Sequence, residues 1–268
     1  MSTAVVHTIP AFDEIAEIYD EVFTHSLVGT SQRGSVWEEI DGLWKPGDRV
    51  LELNCGTGED ALHLAGKGIS VTGCDASPAM IEVANQKKAR RRPRVPVRFV
   101  VLPNEYIGGL LIDRRFDGVF SNFSGLNCVA DLANVAQQLA TLLRPGAEVA
   151  LVFSTPFSLW ESLWYGVRGD WAKAIRRWSG HVSSTISGVP VEVWYPRVSE
   201  IRQAFAPWFW YINVSGIGVA VPPSYVESLA QKHSRIFSLL RTVDRLINHL
   251  PLFRVMGDHM LLRFRRSS

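Results

Sequence analysis

A glycine-rich segment followed by a distant acid is the clearest indication of chemistry in this sequence. Residues 56–61 read Gly-Thr-Gly-Glu-Asp-Ala and fit the pattern G-x-G-x-x-A, and Asp75 follows Gly56 by 19 residues. Glycines let a backbone approach a ligand closely, and a helix that begins at such a loop presents unpaired N–H groups. A carboxylate after the next strand can accept hydrogen bonds from a ribose diol. The pattern therefore predicts a nucleoside-type cofactor, without separating NAD from S-adenosylmethionine.

The segments around this loop predict a parallel sheet. Apolar runs indicate strands at residues 49–53, 69–74, 97–102, 116–120 and 149–153. Helical patterns lie between them at residues 59–65, 77–89 and 131–143. Strands that alternate with helices and connect by right-handed crossovers form a doubly wound α/β sheet. We expect the glycine loop and Asp75 to lie at the carboxyl edge of that sheet.

Three further features favour one cofactor. Glu52 stands at the end of the first strand, where a pyrophosphate dianion would gain little from a carboxylate and the ammonium group of an aminoacyl sulfonium could use it. About 48 residues of helical pattern precede this strand, and Leu142–Gly146 (LLRPG) runs directly into the fifth strand. These features favour S-adenosylmethionine over NAD.

Three segments resemble, in the right order, a class I S-adenosylmethionine-dependent methyltransferase of the small-molecule type. They read VLELNCGTGEDALHLAGKGISVTGCDASPAMIEVA, FDGVFSNFSGLN and LLRPGAEVALVF. The resemblance covers residues 49–154, and Tyr19, Asp20 and Arg33 resemble the cap segment of such proteins. It implies a Rossmann-like α/β sheet of seven strands, mostly parallel with the last strand antiparallel.

No internal repeat and no clear flexible linker are apparent in the sequence, which favours one domain over residues 1–268. A helical cap (1–48) would precede the cofactor core (49–154), and a substrate-side half (155–268) would carry helical lid insertions near 157–198 and 222–256. The Tyr225–Leu250 stretch would form the lid, with an apolar substrate pocket beneath it.

Individual roles follow from the resemblance. The methionine part of the cofactor would contact Glu52, Gly56 and Gly58, and the ribose hydroxyls would contact Asp75. The expected cofactor contacts are Tyr19, Glu52, Asn54, Gly56, Gly58, Asp75, Ala76, Met80, Asn104, Asn122 and Phe123. Asn54 departs from the family by replacing its usual first glycine, and Asn104 lies where the family has an acid.

No general base follows from the sequence. The weak candidates are Tyr19 and His25 in the cap and His181 in the first insertion, and a structural or solvated role is the more common one for such histidines. No Cys-x-x-Cys or His-x-x-x-His spacing indicates a metal, and none is required for methyl transfer.

The sequence features that bear on the class of substrate lie in the two insertions. Seven of the nine tryptophans fall within residues 160–210, and Trp160, Trp164, Trp171 and Trp178 have the spacing of one helical face. Such a face can pack on the core, wall a lipophilic substrate, or contact a membrane interface. We expect a small, apolar or aromatic acceptor, methylated on oxygen or nitrogen, with carbon as a further option.

Composition and charge leave alternatives open. The net charge is +2, but six bases lie in Lys87–Arg94, and the rest carries 22 bases against 26 acids. This basic run supports an RNA or protein methyltransferase as an alternative. Two observations weaken that alternative: basic residues are also favoured at the C-terminus of a helix, and no aromatic residues for base stacking lie among them. A non-catalytic, cofactor-binding partner subunit is a second alternative.

The sequence also predicts a location. The three cysteines are odd in number and follow apolar runs, which indicates reduced thiols. No secretory signal pattern and no membrane-spanning apolar run are apparent. We therefore expect a cytoplasmic protein.

Overall fold

The computed structural model describes residues 3–91 and 93–268, and these residues contain nine strands, of which seven form one sheet and two form a separate hairpin. In chain order the strands are β1 (Arg49–Leu53), β2 (Ser70–Asp75), β3 (Val97–Val101), β4 (Phe116–Ser121), β5 (Leu143–Ser154), β6 (His181–Ile186), β7 (Val189–Trp194), β8 (Phe209–Ile217) and β9 (His259–Arg266). The sheet has the order β3-β2-β1-β4-β5-β9-β8. β1 to β5 pair in parallel, and β9 runs antiparallel between β5 and β8. The predicted doubly wound sheet with an antiparallel last strand is confirmed.

Helices flank both faces of the sheet. They are α1 (Thr3–Ile15), α2 (Leu27–Ile40), α3 (Glu59–Gly66), α4 (Pro78–Arg90), α5 (Leu132–Leu142), α6 (Leu159–Gly166), α7 (Trp171–Ala174), α8 (Val198–Phe205), α9 (Glu227–Lys232) and α10 (Ser234–Ile247). The predicted starts of α4 and α5 are confirmed, because the Ser77 hydroxyl accepts a hydrogen bond from the Met80 N–H and Asp131 accepts one from that of Asn134. Among the described helices, none has both the length and the apolar character that a membrane span requires.

The alternation of side chains along β1 divides the core into two layers. Leu51 and Leu53 belong to the layer that packs against α5 and α8, whereas Val50 belongs to the layer that packs against α2, α3 and α4. Glu52 follows the same alternation as Val50. Its carboxyl group therefore lies on the side of the sheet that the cap helix α2 covers.

The tryptophan-rich segment does not form the single helical face that its spacing predicts. Trp160 and Trp164 lie on α6, Trp171 lies on α7, and Trp178 lies in a separate 3-10 turn. The helix ends because Gly169 adopts a left-handed φ of 76° and Asp170 caps a new helix. The prediction that these four tryptophans share one helical face was therefore wrong.

A hairpin follows this segment, which the sequence analysis did not predict. β6 and β7 pair in antiparallel fashion around Ser187 and Gly188, whose φ angles of 48° and 81° fit a tight hairpin turn. β7 packs against the cap helix α1. The hairpin thus supports the cap from the substrate-side half.

The predicted lid helix consists of two helices, α9 and α10, which pack on the cap. The Glu227 carboxylate accepts hydrogen bonds from the backbone N–H groups of Leu27 and Val28 at the start of α2. Arg245 forms an ion pair with Glu38 of the same helix. These contacts place the two helices against α2.

A buried ionic cluster joins the first insertion to the start of β9. The Arg177 guanidinium lies 2.7 Å from a Glu161 carboxylate oxygen and 2.8 Å from one of Asp258. Arg176 also contacts Glu161, at 2.6 Å, but its side chain is partly exposed. Burial of two carboxylates requires compensation by a cation and hydrogen bonds, which Arg177 supplies.

Removal of Arg177 should be far more costly than removal of Arg176. In Arg177→Met the free energy of unfolding should fall by about 3–5 kcal/mol, because Glu161 and Asp258 lose their shared buried cation. Arg176→Met is the matched control and should cost clearly less, since the Arg176 side chain is partly exposed and Glu161 keeps its pairing with Arg177. Urea unfolding monitored by tryptophan fluorescence measures both. Equal losses would contradict the central role of Arg177.

Candidate cofactor-binding site

A cavity lies at the carboxyl ends of β1, β2 and β4, beneath the cap. It contains about 1010 Å³ of empty space, part of which is open to solvent. Nine of the eleven predicted cofactor contacts line it: Tyr19, Asn54, Gly56, Asp75, Ala76, Met80, Asn104, Asn122 and Phe123. Ligands of open α/β sheets bind at this edge. The roles of these residues stay predictions, but the fold brings them to one place.

The Asp75 carboxylate is held in place by the glycine loop. One of its oxygens accepts a hydrogen bond from the Gly56 N–H at 2.8 Å, and the other accepts one from the Ser77 N–H at 2.9 Å. Burial raises the pKa of Asp75, and these N–H groups oppose that rise by stabilising the charge. Gly56 adopts a left-handed φ of 51°, which glycine favours. The loop thereby fixes the direction of the carboxylate at the cavity.

Asn54 replaces a glycine of the family and bridges two loops. Its side-chain N–H donates to the backbone carbonyl of Asn122 at 2.9 Å, and its side-chain carbonyl accepts from the Ser121 hydroxyl at 2.8 Å. A Cβ atom on Gly125 would lie 2.2 Å from Asn54 Cγ, so the asparagine requires a glycine there. Compared with a glycine at this position, Asn54 adds hydrogen bonds, and its side chain fills the space beside Gly125.

The loop after β4 holds non-glycine residues in a strained conformation. Phe123 and Ser124 have φ angles of 46° and 63°, which side chains other than glycine rarely adopt. The Phe123 N–H donates to the Asn122 side chain at 2.8 Å, and the Arg33 guanidinium lies 4.5 Å from the Phe123 ring centre. Such strain persists only where surrounding contacts fix it, and it concentrates at functional sites.

A buried cluster centred on Asp60 lies at one wall of the cavity. The Asp60 carboxylate pairs with Arg33 and accepts hydrogen bonds from Trp37 Nε1 at 2.6 Å and from the Asn122 side chain at 3.1 Å. Arg33 and Asp60 both line the cavity, and Arg33 Nε is buried without a partner in the described part of the chain. A buried donor of this kind fits a carboxylate on a bound molecule.

Arg33 and Asp60 are not among the eleven cofactor contacts that the sequence predicts. Arg33 was recognised only as part of the cap resemblance, and Asp60 was an unspecified position of the glycine motif. The available signals were an arginine in the cap and an acid two residues after Gly58. Neither signal shows that Arg33 and Asp60 pair with each other, because 27 residues separate them in the sequence.

Two predicted contacts, Glu52 and Gly58, do not line the cavity. Glu52 is buried, one of its oxygens has no partner among the described residues, and burial with the nearby Asp60 raises its pKa well above the ordinary value. Gly58 has φ of 78°, and a Cβ atom there would lie 2.6 Å from the Phe99 ring. In this arrangement Gly58 permits close packing of α3 on β3.

Two carboxylates of the cap fasten it over the cavity. Asp20 accepts a hydrogen bond from the Thr57 hydroxyl at 2.6 Å and pairs with Lys87 at 2.8 Å. Asp13 accepts one from the Ser77 hydroxyl at 2.5 Å. Tyr19, next to Asp20, is thereby held at the cavity, where burial raises the pKa of its phenol.

The basic run contributes to this cap contact. Lys87, its first residue, also pairs with Glu59 at 2.7 Å and is therefore engaged within the fold. Arg92 lies outside the described residues. The RNA or protein alternative that rests on residues 87–94 stays untested.

The histidine candidates lie away from the cavity. His25 is exposed after the cap turn, and His181 on β6 stacks on Trp194 and pairs with Glu192 at 2.6 Å. Neither is part of the cavity lining, so the structure gives no support to either as a base. Among the described residues, no group of three or more histidines, cysteines or acids could hold a metal ion.

Comparison with known proteins matches this cofactor region. A family model described as a methyltransferase domain matches residues 50–146. A 2-phytyl-1,4-naphtoquinone methyltransferase of Trichormus variabilis is 32% identical over 152 residues, which are 53% of this chain and 62% of that protein. A ubiquinone/menaquinone biosynthesis C-methyltransferase of Geotalea daltonii is 32% identical over 159 residues, 58% of this chain and 66% of its own. The chain thus spans less than two thirds of either relative.

A solved structure extends the likeness of fold to the whole chain. The DhpI–SAH complex superposes with a TM-score of 0.60 over 100% of this chain and 98% of that one, at 16% identity. At this identity the match supports the fold, and it includes the substrate-side half that the family model leaves out.

The contact between Asn54 and Gly125 predicts a coupled pair of substitutions. Gly125→Ala should lower the free energy of unfolding by about 1–3 kcal/mol, because its Cβ overlaps the Asn54 side chain. In the Asn54→Gly background most of this cost should disappear, since the overlapping side chain is gone. Gly109→Ala is the control, as a Cβ there meets nothing within 4 Å. Urea unfolding of the four-protein cycle measures the coupling, and additive effects would contradict the contact.

Proposed function

We propose that this chain, which belongs to the class I S-adenosylmethionine-dependent methyltransferases, transfers a methyl group from that cofactor to a small, lipophilic, aromatic acceptor. The observation that carries the proposal is the Asp75 carboxylate, which the Gly56 N–H holds at the wall of a cavity at the carboxyl edge of the sheet. A carboxylate in this position is suited to the two ribose hydroxyls of a nucleoside.

The polar groups of the cavity fit the rest of the cofactor. Arg33 Nε is a buried donor with no partner among the described residues, and it suits the methionine carboxylate. Ala76 and Met80 supply apolar wall for adenine. A carboxylate attached to a nucleoside thus finds partners in the cavity. Glu52 does not line the cavity, and its contact with the ammonium group stays a prediction.

When bound, S-adenosylmethionine supplies an electrophilic sulfonium methyl group. The chain's own contribution is then to orient the reactants and exclude water, an effect worth about 7–11 kcal/mol in well-aligned reactions. The Arg33–Phe123 contact and the bridge from Asn54 fix the loop after β4, and the cap with Tyr19 covers the cavity. Because burial raises the Tyr19 pKa, its phenol stays protonated near neutral pH and can donate a hydrogen bond.

The acceptor class follows from the lining and from the relatives. Ile9, Phe12, Phe123 and Val129 give the cavity an apolar wall that suits a flat ring. The names of the relatives include a naphtoquinone and a quinone C-methyltransferase, which supports an aromatic acceptor. We therefore include ring carbon with oxygen and nitrogen as the methylated atom.

Cofactor binding is the first test. Isothermal titration calorimetry should detect micromolar binding of S-adenosylmethionine and S-adenosylhomocysteine but not of NAD. Asp75→Ala should weaken both by roughly tenfold or more, because the ribose loses hydrogen bonds to a charged group. Asp113→Ala, which changes an exposed acid elsewhere, is the control. Binding of NAD alone, or equal binding by Asp75→Ala, would overturn the assignment.

A second test separates the two ends of the cofactor. Arg33→Met should weaken the binding of S-adenosylhomocysteine by roughly tenfold or more. The binding of 5′-methylthioadenosine, which lacks the amino acid part, should stay nearly unchanged. Asp75→Ala should weaken both ligands, since both carry the ribose. Arg33→Lys keeps the charge beside Asp60 and serves if the methionine variant unfolds. Equal losses for the two ligands in the folded Arg33 variants would contradict the role of Arg33.

A further inference from the structure

Helix α10 has apolar residues on a face that the described residues leave exposed. Its buried side carries Phe237 and Asp244, which pack toward the cap and the segment after β8. On another side, Ile236, Leu239 and Leu246 are 57%, 63% and 74% exposed. We call these three residues the α10 face. Their spacing puts them along one side of the helix over about 15 Å.

A second exposed apolar group lies at the corner between α6 and α7. Val167 and Trp171 are 79% and 67% exposed, and Leu163 is also exposed. The Arg168 guanidinium stacks on the ring of Trp164 at 3.3 Å. We call Leu163, Val167 and Trp171 the tryptophan corner.

The two groups are connected through Tyr225. Its ring centre lies 6.3 Å from that of Trp164 and 5.5 Å from that of Tyr165, and Tyr225 lies in the 3-10 turn just before α9. Helix α6 therefore packs beside the segment that leads into α9 and α10. Exposed aromatic, aliphatic and basic residues are thus gathered in one half of the chain.

The charges near these groups are predominantly basic. The nearby acids are used within the fold: Glu161 binds Arg176 and Arg177, Glu227 caps α2, and Asp244 accepts from the Ala220 N–H. In contrast, Lys232 and Arg235 are exposed near the start of α10, and neither forms an ion pair with another described residue. Such an excess attracts an anionic surface.

We propose that the α10 face and the tryptophan corner dock on the surface of an anionic lipid membrane. Leucine, isoleucine and tryptophan side chains would enter the boundary between headgroups and acyl chains, while long basic side chains would reach the phosphates. A second copy of the chain fits less well, because it would bring the same basic residues to the contact. This interaction does not depend on methyl transfer.

Vesicle flotation tests the docking surface. The full chain should float with vesicles of phosphatidylcholine mixed with phosphatidylglycerol, and much less with phosphatidylcholine alone. Leu239→Glu combined with Leu246→Glu should reduce the bound fraction by roughly tenfold or more, because it places two acids where apolar area was buried. Leu111→Glu is the matched control, since Leu111 is 89% exposed on the loop before β4.

The outcomes separate the proposal from its alternatives. Binding that is lost in the double variant, kept in Leu111→Glu and weakened by salt supports docking on an anionic membrane. No flotation of the wild-type chain, or equal flotation of the double variant, overturns it. A dimer in light scattering that the double variant abolishes, without vesicle binding, would assign the surface to a second copy instead. Calorimetric titration of S-adenosylhomocysteine checks that each variant is folded, and failure of that binding in the wild type would bear on the proposed function alone.

Discussion

The Asp60 carboxylate, buried in the first turn of α3, is the centre on which the geometry of the cavity depends. It pairs with Arg33 of the cap, accepts from Trp37 one turn further along α2, and accepts from Asn122 after β4. Two separate segments, the cap helix α2 and the loop after β4, are therefore fixed to the glycine-loop helix by one charged group. A buried carboxylate is costly unless it is fully paired, so these partners must assemble together when the chain folds.

The same principle extends to the strained loop after β4. Phe123 can hold a left-handed backbone because Asn122 is tied to Asp60, its own N–H is bonded, and Arg33 covers its ring. Asn54 then fixes the other side of the loop, in space that Gly125 leaves free. Because the folded protein already holds this loop in one conformation, ligand binding does not have to order it. A preordered loop can orient bound reactants, and orientation of reactants lowers the barrier to reaction.

The features of the fold that depend on local sequence pattern could be predicted from the sequence. The order of strands and helices from β1 to β5 followed from periodicity and from the caps at Ser77 and Asp131, and the position of Asp75 followed from its spacing. Contacts between distant segments were not predictable in this way. The partner of Arg33, the location of Gly58 against Phe99, and the packing of the β6–β7 hairpin on α1 all depend on tertiary structure. The tryptophan spacing misled because it continues through Gly169, where the helix has already ended.

Helix α2 relates the cavity to the exposed α10 face. Its first turn is capped by Glu227 of α9, and Glu38 near its end pairs with Arg245 of α10. Between these contacts the same helix presents Arg33 to Asp60 and to the cavity. A single helix thus sets the orientation of the cofactor cavity relative to the surface proposed to meet a membrane. For a lipophilic acceptor, which partitions into a bilayer rather than water, docking of this kind would bring the protein to the phase in which the acceptor is concentrated.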